Sequence, residues 1–160
     1  MNQEAAQDKP QQAPQIELQK IYLKDVSLET PNSPKVFTEE WKPNFNLQIN
    51  TATHALADPI HEVVLSITVT AKVGEKTAYL AEIQQAGIFA LKGFSKDQIG
   101  PILGAFCPNT LFPYAREAID SLLVKGGFPP LHLNPINFDA LYMQHLQSQR
   151  NPPAPPTITH

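Results

Sequence analysis

The residues of this sequence that could do chemistry are few and widely spaced. None of the five histidines stands near another histidine or a cysteine at metal-ligand spacing: they are His54, His61, His132, His145 and His160. The single cysteine, Cys107, has no assignable base beside it, so it is interpreted as a small buried apolar residue rather than a nucleophile. The acidic residues are scattered, and no phosphate loop, GxSxG or HExxH motif occurs. The sequence predicts no catalytic residues, no metal site and no cofactor.

Composition favours a soluble binding protein over a nucleic-acid or membrane protein. The chain has 160 residues, enough for one domain, and its formal net charge of −3 argues against nucleic acid or an anionic membrane as the main partner. An acidic surface suits a basic partner or a positively charged unfolded chain. No apolar run approaches the roughly 20 residues of a membrane span. One cysteine cannot form an internal disulfide, which predicts a cytoplasmic location.

The chain divides into three zones. Residues 1–15 are rich in glutamine and poor in large apolar residues, and they are predicted to be a disordered tail without the order of a secretory signal. Residues 16–147 form the expected folded domain. Residues 148–160 contain four prolines and are predicted to be an extended tail.

The first half of the folded zone has the pattern of strands. Ile16 to Glu29 lacks glycine and proline, and the segments around Phe45 to Ile49 and Val63 to Ala71 alternate apolar with polar residues. Gly74-Glu75 predicts a tight hairpin turn, followed by a strand over 76–89. Four strands with mostly short connections indicate an antiparallel sheet, with one longer loop over 31–43.

The second half has the pattern of helices. Ser95 and Gln98 are spaced as a capping box, but Gly100, Pro101 and Gly104 predict that this helix is short or irregular. A longer helix is expected to begin at an Asn109 cap and to end at Gly126-Gly127, and Asn137 is expected to cap a last helix. Strands followed by helices predict an α+β fold with the helices packed on one face of the sheet.

Strand alternation also predicts which side chains share a face. Asp25 and Glu29 lie four residues apart and point the same way, while Leu80 and Glu82 lie opposite the face of Tyr79. If the Tyr79 face meets the helices, the other face is acidic, nearly flat and exposed. Such a face is either a docking surface or simply a solvated one.

Three aromatic residues lie in or beside the long loop: Phe37, Trp41 and Phe45. They either fold back onto the core or line an apolar groove, where aromatic rings supply a large contact area.

Long blocks of this sequence resemble the SecB family of protein-export chaperones. These are IYLKDVSLETPNSPKVF, ITVTA, EIQQAGIF, GAFCPNTLFPYARE and FPPLHLNPINFDALY, and the similarity runs from about Gln19 to Gln147. The resemblance implies a homotetramer, a dimer of dimers with long helices packed between the dimers. It also implies binding of unfolded precursor proteins without ATP and their delivery to the SecA motor, whose C-terminal tail is basic.

The resemblance carries over two sets of contact residues. The SecA-binding positions match Asp25, Glu29, Leu80 and Glu82, which are residues that alternation places on a common type of face. The client-binding positions match Phe37, Trp41, Phe45, Leu47, Ile49, Tyr142 and Leu146. The tail after Gln147 has no acidic residue, unlike the acidic tails frequent in the family.

Two other functions compete with export. One is a SecB-like chaperone dedicated to a single client such as an antitoxin, against which the four matched SecA-binding positions argue. The other is a small enzyme whose site assembles from scattered polar residues, which loss of a reaction on mutating His61 or Cys107 would support.

Overall fold

The computed structural model describes residues 13–153. Its strands are β1 (Gln15–Glu29), β2 (Pro43–Ala55), β3 (Ile60–Val73) and β4 (Lys76–Lys92), and its helices are α1 (Lys96–Pro101), α2 (Cys107–Lys125) and α3 (Phe138–Arg150). The predicted α+β order of four strands followed by helices is therefore confirmed. Of the expected N-terminal tail, residues 1–12 lie outside the described range. At the other end α3 continues to Arg150, past the expected boundary at residue 147, and residues 154–160 are outside the described range.

The strands form one antiparallel sheet in the order β1-β4-β3-β2. The predicted hairpin joins β3 to β4, and Gly74 adopts the positive φ of 61° that this turn requires. Strands β1 and β2 are consecutive in the chain but lie at opposite edges. The long predicted loop, which contains a short 3-10 helix over Lys35–Thr38, crosses between these edges and is anchored by Asn32, whose side-chain amide donates to the Thr77 carbonyl at 2.8 Å.

The core lies between the middle of the sheet and α2. On β3 and β4 the core-facing residues are buried, among them Ile67, Tyr79 and Ile83, and α2 presents Leu111, Ala115, Ile119 and Leu123 at four-residue spacing. Gly87 lets the helix approach, since a Cβ there would lie 2.9 Å from a Leu111 methyl carbon. The face of Tyr79 therefore meets the helix, which is the condition under which the face of Leu80 and Glu82 is exposed. We call the opposite surface of the sheet the open face.

Helices α1 and α2 are joined without a break by a π-helical segment, Ile102–Phe106. The irregularity expected around Gly100 to Gly104 is confirmed, but the expected cap at Asn109 is wrong, because Asn109 lies inside α2. The Cys107 N–H donates to the carbonyl of Ile102, five residues earlier, so the chain enters α2 already helical. The first amides of α2 therefore need no side-chain cap.

The connector between α2 and α3 is fastened to α2. Asp120 Oδ1 accepts from the backbone N–H groups of Leu131 and His132 at 2.9 and 3.1 Å, and Arg116 Nε donates to the Leu133 carbonyl at 2.8 Å. Asn137 then caps α3, as predicted, by accepting from the Ala140 N–H at 3.0 Å. These bonds place α3 beside the α1–α2 junction.

Helix α3 packs against this region through Tyr142 and through Phe138, whose ring lies 5.7 Å from that of Phe112 in α2. The Tyr142 side chain lies against Gly100 and Gly104: an added Cβ would come within 2.7 Å of its hydroxyl oxygen at Gly100 and within 2.3 Å of its ring at Gly104. The two glycines, one helical turn apart, form a notch that the ring fills.

Filling this notch should destabilise the protein. We expect Gly104→Ala to lower the free energy of unfolding by about 1–3 kcal/mol, because the new methyl overlaps the Tyr142 ring. Urea denaturation of Gly104→Ala in wild-type and Tyr142→Ala backgrounds measures the effect. The cost should largely disappear in the Tyr142→Ala background, and an equal cost in both would show that the overlap is not its cause.

Candidate functional site

The helix-side face of β2 is only partly covered. Phe45, Leu47 and Ile49 pair with the buried residues Ala71, Val69 and Ile67 of β3, so they share the core face. Yet Phe45 is 49% exposed and Leu47 41%, because α2 packs chiefly on β4 and β3. The prediction left open whether these residues belong to the core or to a groove. They form an open apolar margin of the core.

An aromatic cluster lies at one end of this margin. Trp41 stacks over Tyr79 with ring centroids 6.4 Å apart, and Phe128 lies 5.6 Å from Trp41 and 5.2 Å from Phe37. Gly127, at φ +88°, leaves room for the Phe37 ring, which remains 50% exposed. The cluster joins the margin because Tyr79, Ala71 and Phe45 form one row across three strands. The contribution of Phe128 was not predicted, since its position after Gly126-Gly127 indicated only a connector.

A cavity of about 470 Å³ lies at the other end, between β2 and α3. Ile49 lines it together with Tyr142 and Leu146, so the structure brings the predicted residues of β2 and of the last helix together. Its lining also includes residues that the prediction missed: Leu103, Gly104, Phe138, Leu141 and His145. We call the surface from Phe37 and Trp41 through Phe45, Leu47 and Ile49 to Tyr142 and Leu146 the apolar groove.

The four residues matched to SecA binding lie together on the open face. Glu29 pairs with Leu80, and Ser27 pairs with Glu82 in the next row of the same face, followed by Asp25 beside Gln84. Asp25, Glu29 and Glu82 are exposed, and Leu80 is half-buried. We call this set the acidic dock. Toward β2 the same rows continue with uncharged polar residues: Thr70, Thr68, Ser66, Asn46, Gln48 and Asn50.

A buried carboxylate lies on the same face beyond the acidic dock. Glu62 on β3 accepts from Lys24 Nζ at 2.8 Å and from the Tyr22 hydroxyl, and His54 Nδ1 lies 3.2 Å away. These hydrogen bonds, with that of Lys24 first, hold the pKa of Glu62 below its ordinary value. The bond to Glu62 also raises the pKa of Tyr22 to about 12. The cluster ties β1, β2 and β3 together, and Glu62 is ionised at neutral pH.

The side chains considered for chemistry are not brought together. Cys107 is fully buried, and burial raises its pKa to about 12, so its thiol stays protonated at neutral pH. Across residues 13–153, no three or more His, Cys, Asp or Glu side chains gather in a way that could hold a metal ion. None of the helices in that range is long and apolar enough to cross a membrane.

Known proteins match this chain over most of its length. The family model described as preprotein translocase subunit SecB matches residues 9–149. The protein-export protein SecB of Marinobacter nauticus is 56% identical over 149 residues, which cover 93% of this chain and 90% of that one. The SecB of Nitrosococcus oceani is 55% identical over 142 residues, covering 88% and 87% of the two chains.

One solved structure shares the fold. It is a SecB-like chaperone of Mycobacterium tuberculosis in complex with a ChAD peptide from the HigA1 antitoxin. The two structures have a TM-score of 0.63 and 19% sequence identity, and the match covers 76% of this chain and 90% of that one. The family model covers most of the chain and both relatives are more than half identical to it, so the chain belongs to the SecB family.

Proposed function

We propose that this protein is an ATP-independent cytoplasmic chaperone that binds unfolded precursor proteins, keeps them competent for translocation and delivers them to SecA. The observation that carries the proposal is the separation of two surfaces by one sheet. Side chains of the apolar groove lie on the helix side, whereas the acidic dock lies on the open face. A client and the motor can therefore be bound at the same time, as a handover requires.

The apolar groove suits an extended, unfolded segment. Each Leu or Phe side chain that a client buries contributes about 1.5–3 kcal/mol, before the cost of ordering the chain is subtracted. One segment alone therefore binds weakly. A folded protein keeps such segments in its own core, so the groove selects unfolded chains, and several grooves acting on one client raise its overall affinity. No nucleotide is needed at any of these steps.

The acidic dock suits a basic partner with an apolar anchor. Three exposed carboxylates lie on the face of Leu80: Glu29 is its cross-strand neighbour, Glu82 lies in the next row and Asp25 in the row after that. Leu80 is half-buried and offers a small apolar contact at one end of the dock. Complementary charge speeds encounter and fixes orientation, and the apolar contact adds affinity. The basic tail expected of SecA has this chemistry.

We further propose that four chains assemble as a dimer of dimers. Apolar side chains remain exposed on the helix side of β1 and on α2, and a second copy would cover them: they are Leu18, Leu23, Val26, Tyr114 and Val124. Four grooves in one particle would supply the avidity that a weak single groove needs.

The tetramer is tested by its mass. Sedimentation equilibrium should give about four times the 17.7 kDa of the chain. Val124 is 56% exposed on α2, and Val124→Glu should reduce the mass to that of two chains, because a charge buried between the dimers has no partner. Met143→Glu, at an equally exposed position on α3, is the control and should leave the tetramer intact. A wild-type mass of one or two chains would contradict the proposed assembly.

The groove is tested in a refolding assay: a slow-folding exported precursor refolds in the presence of this protein and without nucleotide, and the arrest of its refolding is measured. Stoichiometric wild-type tetramer should arrest refolding, and Phe45→Ala with Leu47→Ala should weaken client binding about tenfold or more, through lost apolar contact. Asn46→Ala with Gln48→Ala is the matched control, since these residues lie on the open face of the same strand.

A thermal melt of each variant verifies that it is folded. Equal weakening by both pairs would exclude the groove as the binding surface. If wild-type protein fails to arrest any exported precursor, the alternative holds, namely a chaperone dedicated to a single client.

The acidic dock is tested by charge reversal. Glu29→Lys with Glu82→Lys should weaken SecA binding at least tenfold at low salt and leave refolding arrest unchanged, because the reversed charges lie on the far side of the sheet from the groove. Glu17→Lys with Glu40→Lys makes the same change in net charge elsewhere and is the control. Titration of SecA measures the affinity. Loss of client binding together with SecA binding would contradict two separate surfaces.

A further inference from the structure

A β-bulge brings a lysine to the margin of the acidic dock. Leu23 pairs with Gln85 and Asp25 with Gln84, so Lys24 is an extra residue without a partner on β4. In a regular strand Lys24 and Asp25 would point to opposite faces. Here Asp25 faces the open side, and Lys24 extends over that side as well, since its Nζ reaches Glu62. An ammonium group is thus adjacent in the chain to the first carboxylate of the dock.

Glu62 draws this ammonium away from the dock. Glu62 lies in the row of Ile88, two rows along the open face from the row of Gln84 and Asp25, and same-face rows are about 7 Å apart. Lys24 Nζ and Glu62 Oε1 are 2.8 Å apart, and no other carboxylate among residues 13–153 lies within 4 Å of Lys24 Nζ. The Lys24 side chain therefore points along the sheet away from Asp25.

The environment of Glu62 suits it to hold a cation permanently. Glu62 is only 9% exposed, and its carboxylate is fixed by the Tyr22 hydroxyl from β1 and by the His54 imidazole from β2. The depressed pKa keeps it charged at neutral pH. A fixed, ionised carboxylate neutralises Lys24 without needing the lysine to find an exposed and mobile partner.

We propose that Glu62 is a positioning residue for the acidic dock: it holds the Lys24 ammonium away from Asp25, so that the dock carboxylates stay free for a basic partner. Without Glu62 the flexible lysine side chain can turn to Asp25, where it would neutralise one of three dock carboxylates and repel an incoming cation. This inference rests on the proposed docking of SecA on the open face.

The test measures SecA affinity at low ionic strength for two single variants, each of which removes one charge, and for the double variant. Glu62→Gln should weaken binding about threefold to tenfold, because it frees one positive charge within a Debye length of the dock. Lys24→Met should preserve or strengthen binding. The affinity of the double variant should return to within about twofold of the wild-type value, since this variant lacks both the Lys24 ammonium and the carboxylate that positions it. The weakening by Glu62→Gln should shrink as salt is raised.

A purely structural role for Glu62 predicts a different pattern. If the Lys24–Glu62 bond only stabilises the strand, Lys24→Met also weakens SecA binding and the double variant is not rescued, and either result overturns the proposal. Refolding arrest and thermal unfolding of each variant verify that the groove and fold are intact.

The Glu29→Lys, Glu82→Lys variant separates the proposed docking of SecA from the proposed role of Glu62. If it abolishes SecA binding while Glu62→Gln does not weaken it, docking stands and the role of Glu62 fails; if neither has an effect, docking itself is wrong.

Discussion

A helix with its side chains is about 10–12 Å across and covers two or three strands spaced about 4.8 Å apart. In this fold one long helix, α2, packs on a sheet of four strands and covers β3 and β4 at its centre. The helix-side faces of the two edge strands consequently keep exposed apolar side chains, such as Leu23 on β1 and Leu47 on β2. The same alternation that builds the core thus leaves two apolar flanks, which the proposed function assigns to a second copy and to a client.

The sheet also separates the groove from the acidic dock. Neighbouring residues of one strand, such as Leu47 and Gln48, take part in different surfaces because they point to opposite faces. A partner on the open face therefore does not need to displace a client from the groove. On β1 this assignment depends on the bulge at Lys24, since Asp25 and Glu29 join Leu80 and Glu82 only in the shifted register.

Strand alternation was sufficient to predict the sheet, the opposite faces of Tyr79 and Leu80, and the common face of Asp25 and Glu29. It could not predict that the bulge at Lys24 places these acids on the same face as Leu80, because the extra residue is defined only by pairing with β4. Glu62 gave no signal either, since its partners on β1 are 38 and 40 residues away in the chain. The start of α2 was misplaced because a π-helical segment carries the chain through Gly104, which in sequence looks like an interruption, and leads directly into α2.

The path of the chain between β1 and β2 decides whether Phe45, Leu47 and Ile49 are core or groove. The same three residues on a central strand would lie beneath α2 and be buried, as Ile67 and Val69 are on β3. The crossover over residues 30–42 instead carries β2 to the far edge of the sheet, beside β3 and away from β4, on which α2 mainly packs. That loop also supplies Phe37 and Trp41, which rest on Phe128 at the end of the groove. One connection thus both uncovers the apolar margin of β2 and builds its aromatic end, so changes in the loop that shift Trp41 should alter client binding without altering the acidic dock.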